Sequence, residues 1–146
     1  MSYCFKPDKR KGRRAMNLPK ILIVDDENET RQTLNDFLAN RIECEIIEAE
    51  NGYEATEKLE KNLIDLILLD INMPGISGIE VIKKAKEISN DIAVIVVTKI
   101  DSSTLSDQIE QLGALYIPKP LPLKIVQKEV ESKLRSINKF FEKKRD

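Results

Sequence analysis

Short apolar runs recur along the chain at 20–24, 45–49, 65–69, 92–97 and 114–117. The run Ile92-Ala93-Val94-Ile95-Val96-Val97 is almost wholly apolar and rich in β-branched side chains, the pattern of a strand covered on both faces of a parallel sheet. Between the runs the apolar spacing becomes helical. Residues 28–40 place Leu34, Phe37 and Leu38 on one face, and residues 52–62, after Asn51-Gly52, set Ala55 and Leu59 four apart. Residues 77–88 open on Ser77 with Glu80 three positions on, a capping box, and carry the stripe Ile79, Val81, Ile82, Ala85 and Ile88. Residues 102–112 carry Leu105, Ile109 and Leu112 and stop at Gly113, a helix C-cap. In the last segment Val126, Val130, Leu134, Ile137 and Phe141 predict a helix from near Pro122 to about Lys144. Such a helix would be ~33 Å long and would project its last turns, with Phe140 and Phe141, beyond the sheet.

Five strands alternating with five helices predict right-handed βαβ units and a single α/β domain, one parallel sheet sandwiched by helices. That domain is expected over 19–140, with 141–146 as an extension of the last helix or a tail. Residues 1–15 differ: Lys6, Lys9, Arg10, Lys11, Arg13 and Arg14 crowd together without apolar periodicity and read as a disordered, solvated basic arm. Met16 is a candidate natural start.

Composition narrows the function classes. The 146 residues suit one compact domain, and 24 basic against 25 acidic side chains leave a net charge of -1, so nothing global points to nucleic acid or membrane. No apolar run approaches the roughly 20 residues needed to span a bilayer. With no histidine in the chain, histidine acid–base catalysis and histidine metal ligation are excluded. Cys4 and Cys44 make neither a disulfide framework nor a zinc site, and a reduced, cytoplasmic setting is expected.

The chemistry lies at the strand exits. The first run ends in Asp25-Asp26 and the third in Asp70, followed by Ile71-Asn72-Met73-Pro74-Gly75. Carboxylates leaving buried strands are costly unless compensated, and ligands of open α/β sheets bind beyond the carboxyl ends of the strands. If the first and third strands are neighbours, the acids converge and a divalent cation relieves their repulsion; magnesium, with its preference for oxygen ligands and phosphate, fits. Asp70 can then act as a nucleophile toward phosphorus, with Lys119 and the hydroxyl of Thr98, at later strand exits, stabilising the phosphoryl oxygens. A rival reading makes Asp25 and Asp26 caps of the following helix.

Ile21-Leu22-Ile23-Val24-Asp25-Asp26-Glu27, Asp70-Ile71-Asn72-Met73-Pro74-Gly75 with Gly78, Val96-Val97-Thr98, Gly113-Ala114 and Lys119-Pro120, in that order and spacing, resemble the receiver domain of two-component response regulators. The resemblance covers about residues 19–140. It implies a flavodoxin-like five-stranded parallel sheet of order 2-1-3-4-5, with Asp70 as phosphoacceptor from a histidine kinase or phosphotransfer protein. It also implies magnesium held by Asp26, Asp70 and the backbone carbonyl of Asn72, with Asp25 acting through a metal-bound water. Thr98 and Tyr116 would be switch residues, Lys119 would pair with the phosphoryl group, and Lys119-Pro120 would be cis. The output would be a downstream protein or a second copy, bound on the face of the fourth helix, fifth strand and fifth helix, or onward relay of phosphate. The length leaves no room for an output domain, so a stand-alone regulator is expected. Two features depart from the family: Lys99 stands where a small residue is usual, at the phosphoryl entrance, and Gly113 to Lys119 is one residue short. Alternatives are a degenerate receiver working without phosphate, a haloacid-dehalogenase-like phosphatase, disfavoured because Asn72 replaces the second aspartate, and a nucleic-acid binder using the basic arm and the final helix.

Overall fold

The computed structural model describes residues 18–72, 77–99 and 103–143. Five strands, β1 (Lys20–Val24), β2 (Glu45–Ala49), β3 (Leu66–Leu69), β4 (Ala93–Thr98) and β5 (Leu115–Pro118), alternate with five helices. These are α1 (Asn28–Ala39), α2 (Gly52–Lys61), α3 (Gly78–Ile88), α4 (Ser103–Gln111) and α5 (Leu123–Ser136). All strand pairs are parallel, in the order β2-β1-β3-β4-β5. The basic arm and the Met73-Pro74-Gly75 turn lie outside the described residues.

The central strands explain the two-sided sheet. Leu22, Val24, Ile67, Leu69, Val94 and Val96 point into one core, under α2, α3 and α4. Their alternates Ile21, Ile23, Leu66, Leu68, Ile95 and Val97 point into the other, under α1 and α5. Burial on both faces is why these runs read as continuous apolar stretches rather than alternating ones. Among the described residues, two helix starts are capped by side chains: Asn51 Oδ1 accepts from the Glu54 N–H at 2.9 Å, and Ser77 Oγ accepts from the Glu80 N–H at 3.3 Å. Cys44 is half-buried, and burial pushes its thiol up to about 11 against a lowering by Lys143.

The last helix is shorter than its apolar period predicts. It ends at Ser136, not near Lys144, and it does not project. Asn138 takes a φ of 59°, its N–H donates to the Arg135 carbonyl, and the Lys139 N–H donates to the Leu134 carbonyl at 2.8 Å. A left-handed residue just past a helix makes a stop of this kind, and asparagine tolerates that conformation. The chain then turns back. Residue 142 bridges Ile42 antiparallel, the Glu43 N–H donates to the Phe141 carbonyl, and the Lys143 N–H donates to the Arg41 carbonyl. Phe140 packs on the α1/α5 core instead of extending past it. Lys139 Nζ reaches Asp65 at 3.1 Å, at the start of β3.

Candidate functional site at the carboxyl edge of the sheet

The exits of β1 and β3 are adjacent because the two strands pair directly, Val24 opposite Leu69. Asp25, Asp26 and Asp70 therefore converge: one carboxylate oxygen from each lies within 4.8 Å of the others. Asp25 and Asp70 are buried and Asp26 is exposed, which leaves one open side. The Asp25 N–H continues the β1–β2 ladder to the Ala49 carbonyl, and the Asp70 N–H donates to the Val24 carbonyl, so both residues are fixed by backbone before their side chains do anything. Each carboxylate also closes its own turn. Asp25 Oδ1 accepts from the Glu27 N–H at 2.8 Å, and Asp70 Oδ1 accepts from the Asn72 N–H at 3.0 Å. Helix α1 starts at Asn28 with no side-chain bond from Glu27, and neither aspartate caps it.

Lys119 follows β5 and reaches back across the sheet edge. Its Nζ lies 3.0 Å from Asp70 Oδ2, 3.3 Å from Asp25 Oδ2 and 3.9 Å from Glu27 Oε1. Burial works against its charge, but the hydrogen bond to Asp70 and the fields of Asp25 and Asp70 prevail, and its pKa is raised. Burial likewise pushes the Asp25 carboxyl above its usual range; the Glu27 N–H and Lys119 oppose this, and the Asp70 charge adds to it. The Lys119-Pro120 bond is cis, and the Lys119 N–H donates to the Thr98 carbonyl at 2.9 Å.

Thr98, the last residue of β4, is fully buried, and its Oγ1 has no hydrogen-bond partner among the described residues. A buried hydroxyl without a partner is uncommon. Tyr116 is half-buried against the α2–α4 core, on β5. An open cleft of about 280 Å³ lies over the acids, lined by Asp26, Glu27, Asp70, Asn72, Lys99 and Lys119. The all-oxygen donor set suits a hard divalent cation, and the orphaned Thr98 hydroxyl is a donor in want of an acceptor. All the residues singled out from sequence thus lie at this edge except Tyr116, which sits along β5. Glu27, at the cleft rim, and Arg31, behind it, were not anticipated.

The family described as response regulator receiver domain matches residues 21–131. The chain belongs to that family. Sporulation initiation phosphotransferase F of Bacillus subtilis is 35% identical to the receiver over 116 residues, which cover 79% of this chain and 93% of that protein. The transcriptional regulatory protein ResD of Bacillus subtilis is 40% identical over 120 residues, 82% of this chain and 49% of that protein. The receiver thus spans nearly the whole of the first relative and about half of the second. Among solved structures, a CheY-like receiver domain protein from Methanospirillum hungatei superposes with a TM-score of 0.76 at 29% identity, covering 84% of this chain and 98% of the other. A two-component response regulator from Clostridium difficile gives 0.75 at 31%, covering 82% and 98%. The protein is a receiver domain of two-component signalling, a signalling module rather than a classical enzyme. Among the described residues, no helix is long and apolar enough to cross a membrane.

Proposed function

We propose that the receiver accepts a phosphoryl group on Asp70 from a histidine kinase or phosphotransfer protein, with Mg²⁺ held by Asp26, Asp70 and the Asn72 carbonyl and with Asp25 one water removed. The observation that carries this is the Asp70 carboxylate, buried between an acid pair that wants a cation and an ammonium 3.0 Å away. A bound Mg²⁺ would neutralise the acids and the equatorial phosphoryl oxygens. Asp70 supplies the attacking oxygen; a P–O bond forms to it as the donor's P–N bond breaks, and the donor imidazole leaves neutral by retaining or gaining a proton. Lys119 then exchanges a carboxylate partner for a phosphoryl oxygen, and the Thr98 hydroxyl gains the acceptor it lacks. Movement of Thr98 and Tyr116 would bias the face of α4, β5 and α5 toward a downstream protein or a second copy of the chain. The likeness to a relative named a phosphotransferase supports onward relay of phosphate as one output. Lys99 on the cleft rim favours one rival, a degenerate receiver acting as an interaction module without phosphate.

Intact-mass analysis after incubation with Mg²⁺ and acetyl phosphate tests this. The wild type should gain one phosphoryl group and Asp70→Asn should gain none. A folded wild type that gains no mass under saturating donor would overturn the reading.

A further inference from the structure

One buried cation near the site is not used by the chemistry above. Arg31 is on the first turn of α1 and is only 9% exposed, unusual for an arginine on an amphipathic surface helix. Its Nη1 donates to the backbone carbonyl of Asp25 at 2.6 Å, its Nη2 to Asn28 Oδ1 at 3.0 Å and its Nε to Glu48 Oε1 at 3.0 Å. Glu48, on β2, is itself oriented: Asn35 Nδ2 donates to its other carboxylate oxygen at 2.8 Å. The guanidinium thus ties α1 and β2 to the turn that carries the acid pair.

We infer that Arg31 is a positioning residue for divalent-cation binding, acting on the acid pair through the Asp25 carbonyl. The inference rests on the metal-dependent reading above and adds to it a residue outside the cleft. The guanidinium meets the peptide of Asp25, not its carboxylate. That peptide is the link to Asp26, the exposed acid of the cluster, whose side chain is not tied down as those of Asp25 and Asp70 are by Lys119. Ala49 already holds the N–H of the preceding peptide, so bonding the carbonyl as well fixes the plane of the next one, Asp25–Asp26, and hence the direction in which Asp26 leaves β1. A planar fork with three differently aimed donors can do this; an ammonium, a point charge, cannot hold all three partners in one plane. Groups that orient ligands without touching the ion typically change metal affinity by about 10–100-fold.

The test is a Mn²⁺ titration of the full-length chain followed by electron paramagnetic resonance, on samples shown to be folded by circular dichroism. Arg31→Met should weaken Mn²⁺ binding by at least about tenfold, and Arg31→Lys should restore only part of it. Glu48→Gln should weaken binding by less, and adding it to Arg31→Met should cost nothing further, because Glu48 acts through the guanidinium. A merely structural role would lower the unfolding midpoint of each variant while leaving Mn²⁺ affinity at the wild-type value in the folded protein, and that result overturns the inference. If Arg31→Met does not fold, Arg31→Lys decides: wild-type affinity in that variant overturns it. A wild type that binds no Mn²⁺ at all refutes instead the metal-dependent function on which the inference stands, so the two failures are distinguishable.

Discussion

Replacing Lys119 by methionine removes the ammonium and keeps most of the side chain's volume, so its effect isolates charge. The Lys119, Asp25 and Asp70 side chains are 7%, 4% and 8% exposed, so solvent screens them little. At an effective dielectric of about 20, contacts at 3.0 and 3.3 Å amount to roughly 5 kcal/mol each. Repulsion between the carboxylates, within 4.8 Å of one another, is present with or without the lysine and does not enter the difference. Recovered desolvation of the lysine offsets part of the lost attraction. A proton sets the ceiling. Asp25, already displaced upward by burial, can pick one up, and protonating a carboxyl of ordinary value 3.8 at pH 7 costs about 4 kcal/mol, at about 1.4 kcal/mol per pH unit. In the metal-free variant the folded state would bind more protons than the unfolded one. Its deficit therefore grows as pH rises through the window between 3.8 and the raised folded value, and shrinks as pH falls. We expect Lys119→Met to lose about 3–4 kcal/mol at pH 7 and less than about 2 at pH 5, by urea unfolding in EDTA. Saturating Mg²⁺ should return about 2–3 kcal/mol of it. A loss of equal size at pH 5 and pH 7 would mean that the deficit does not come from uncompensated carboxylates, and would refute the charge-based reasoning.

Two further substitutions probe the neighbouring strand exits. Thr98→Val removes a buried hydroxyl without a partner and should raise the stability of the unphosphorylated protein by about 1 kcal/mol in urea unfolding; a loss would mean that the hydroxyl is satisfied. Gly78→Ala should lower the melting temperature, because a Cβ there would lie 2.6 Å from the backbone Cα of Ile71. Overpacking of this kind costs about 1–3 kcal/mol, more than the at most ~1 kcal/mol that alanine gains over glycine in a helix. A melting temperature at or above the wild type's would show that the loop after Asp70 yields freely.

The strands were legible because β1, β3 and β4 are covered on both faces, which leaves an unbroken apolar signature ending in the residues of the site. Asp25, Asp26 and Asp70 stand out for the same reason: a charge set after such a run is costly unless a partner or a ligand compensates it; Lys119 follows the half-buried edge strand β5 and stood out by its place at a strand exit before Pro120. The end of α5 was not legible from period alone, since Ile137 and Phe141 continue the spacing although the chain has already reversed at Asn138. Asparagine followed by lysine was the available sign of a stop, outweighed by the apolar stripe. Arg31 left no mark at all. Its partners are a backbone carbonyl and a glutamate 17 positions away, and a basic residue on a helix ordinarily reads as solvated.

The folded-back carboxyl segment has a mechanical consequence. Lys139 anchors to Asp65, and residues 141–143 are stitched to 41–43, so the far end of α5 is moored to the middle of the sheet and to the end of α1. Its near end hangs from Pro122, three residues past Lys119, beside the half-exposed Ile125. A rod pinned at one end swings rather than slides. The expected response of α5 to a tug on the lysine is therefore tilt, larger in the first turn than at the mooring.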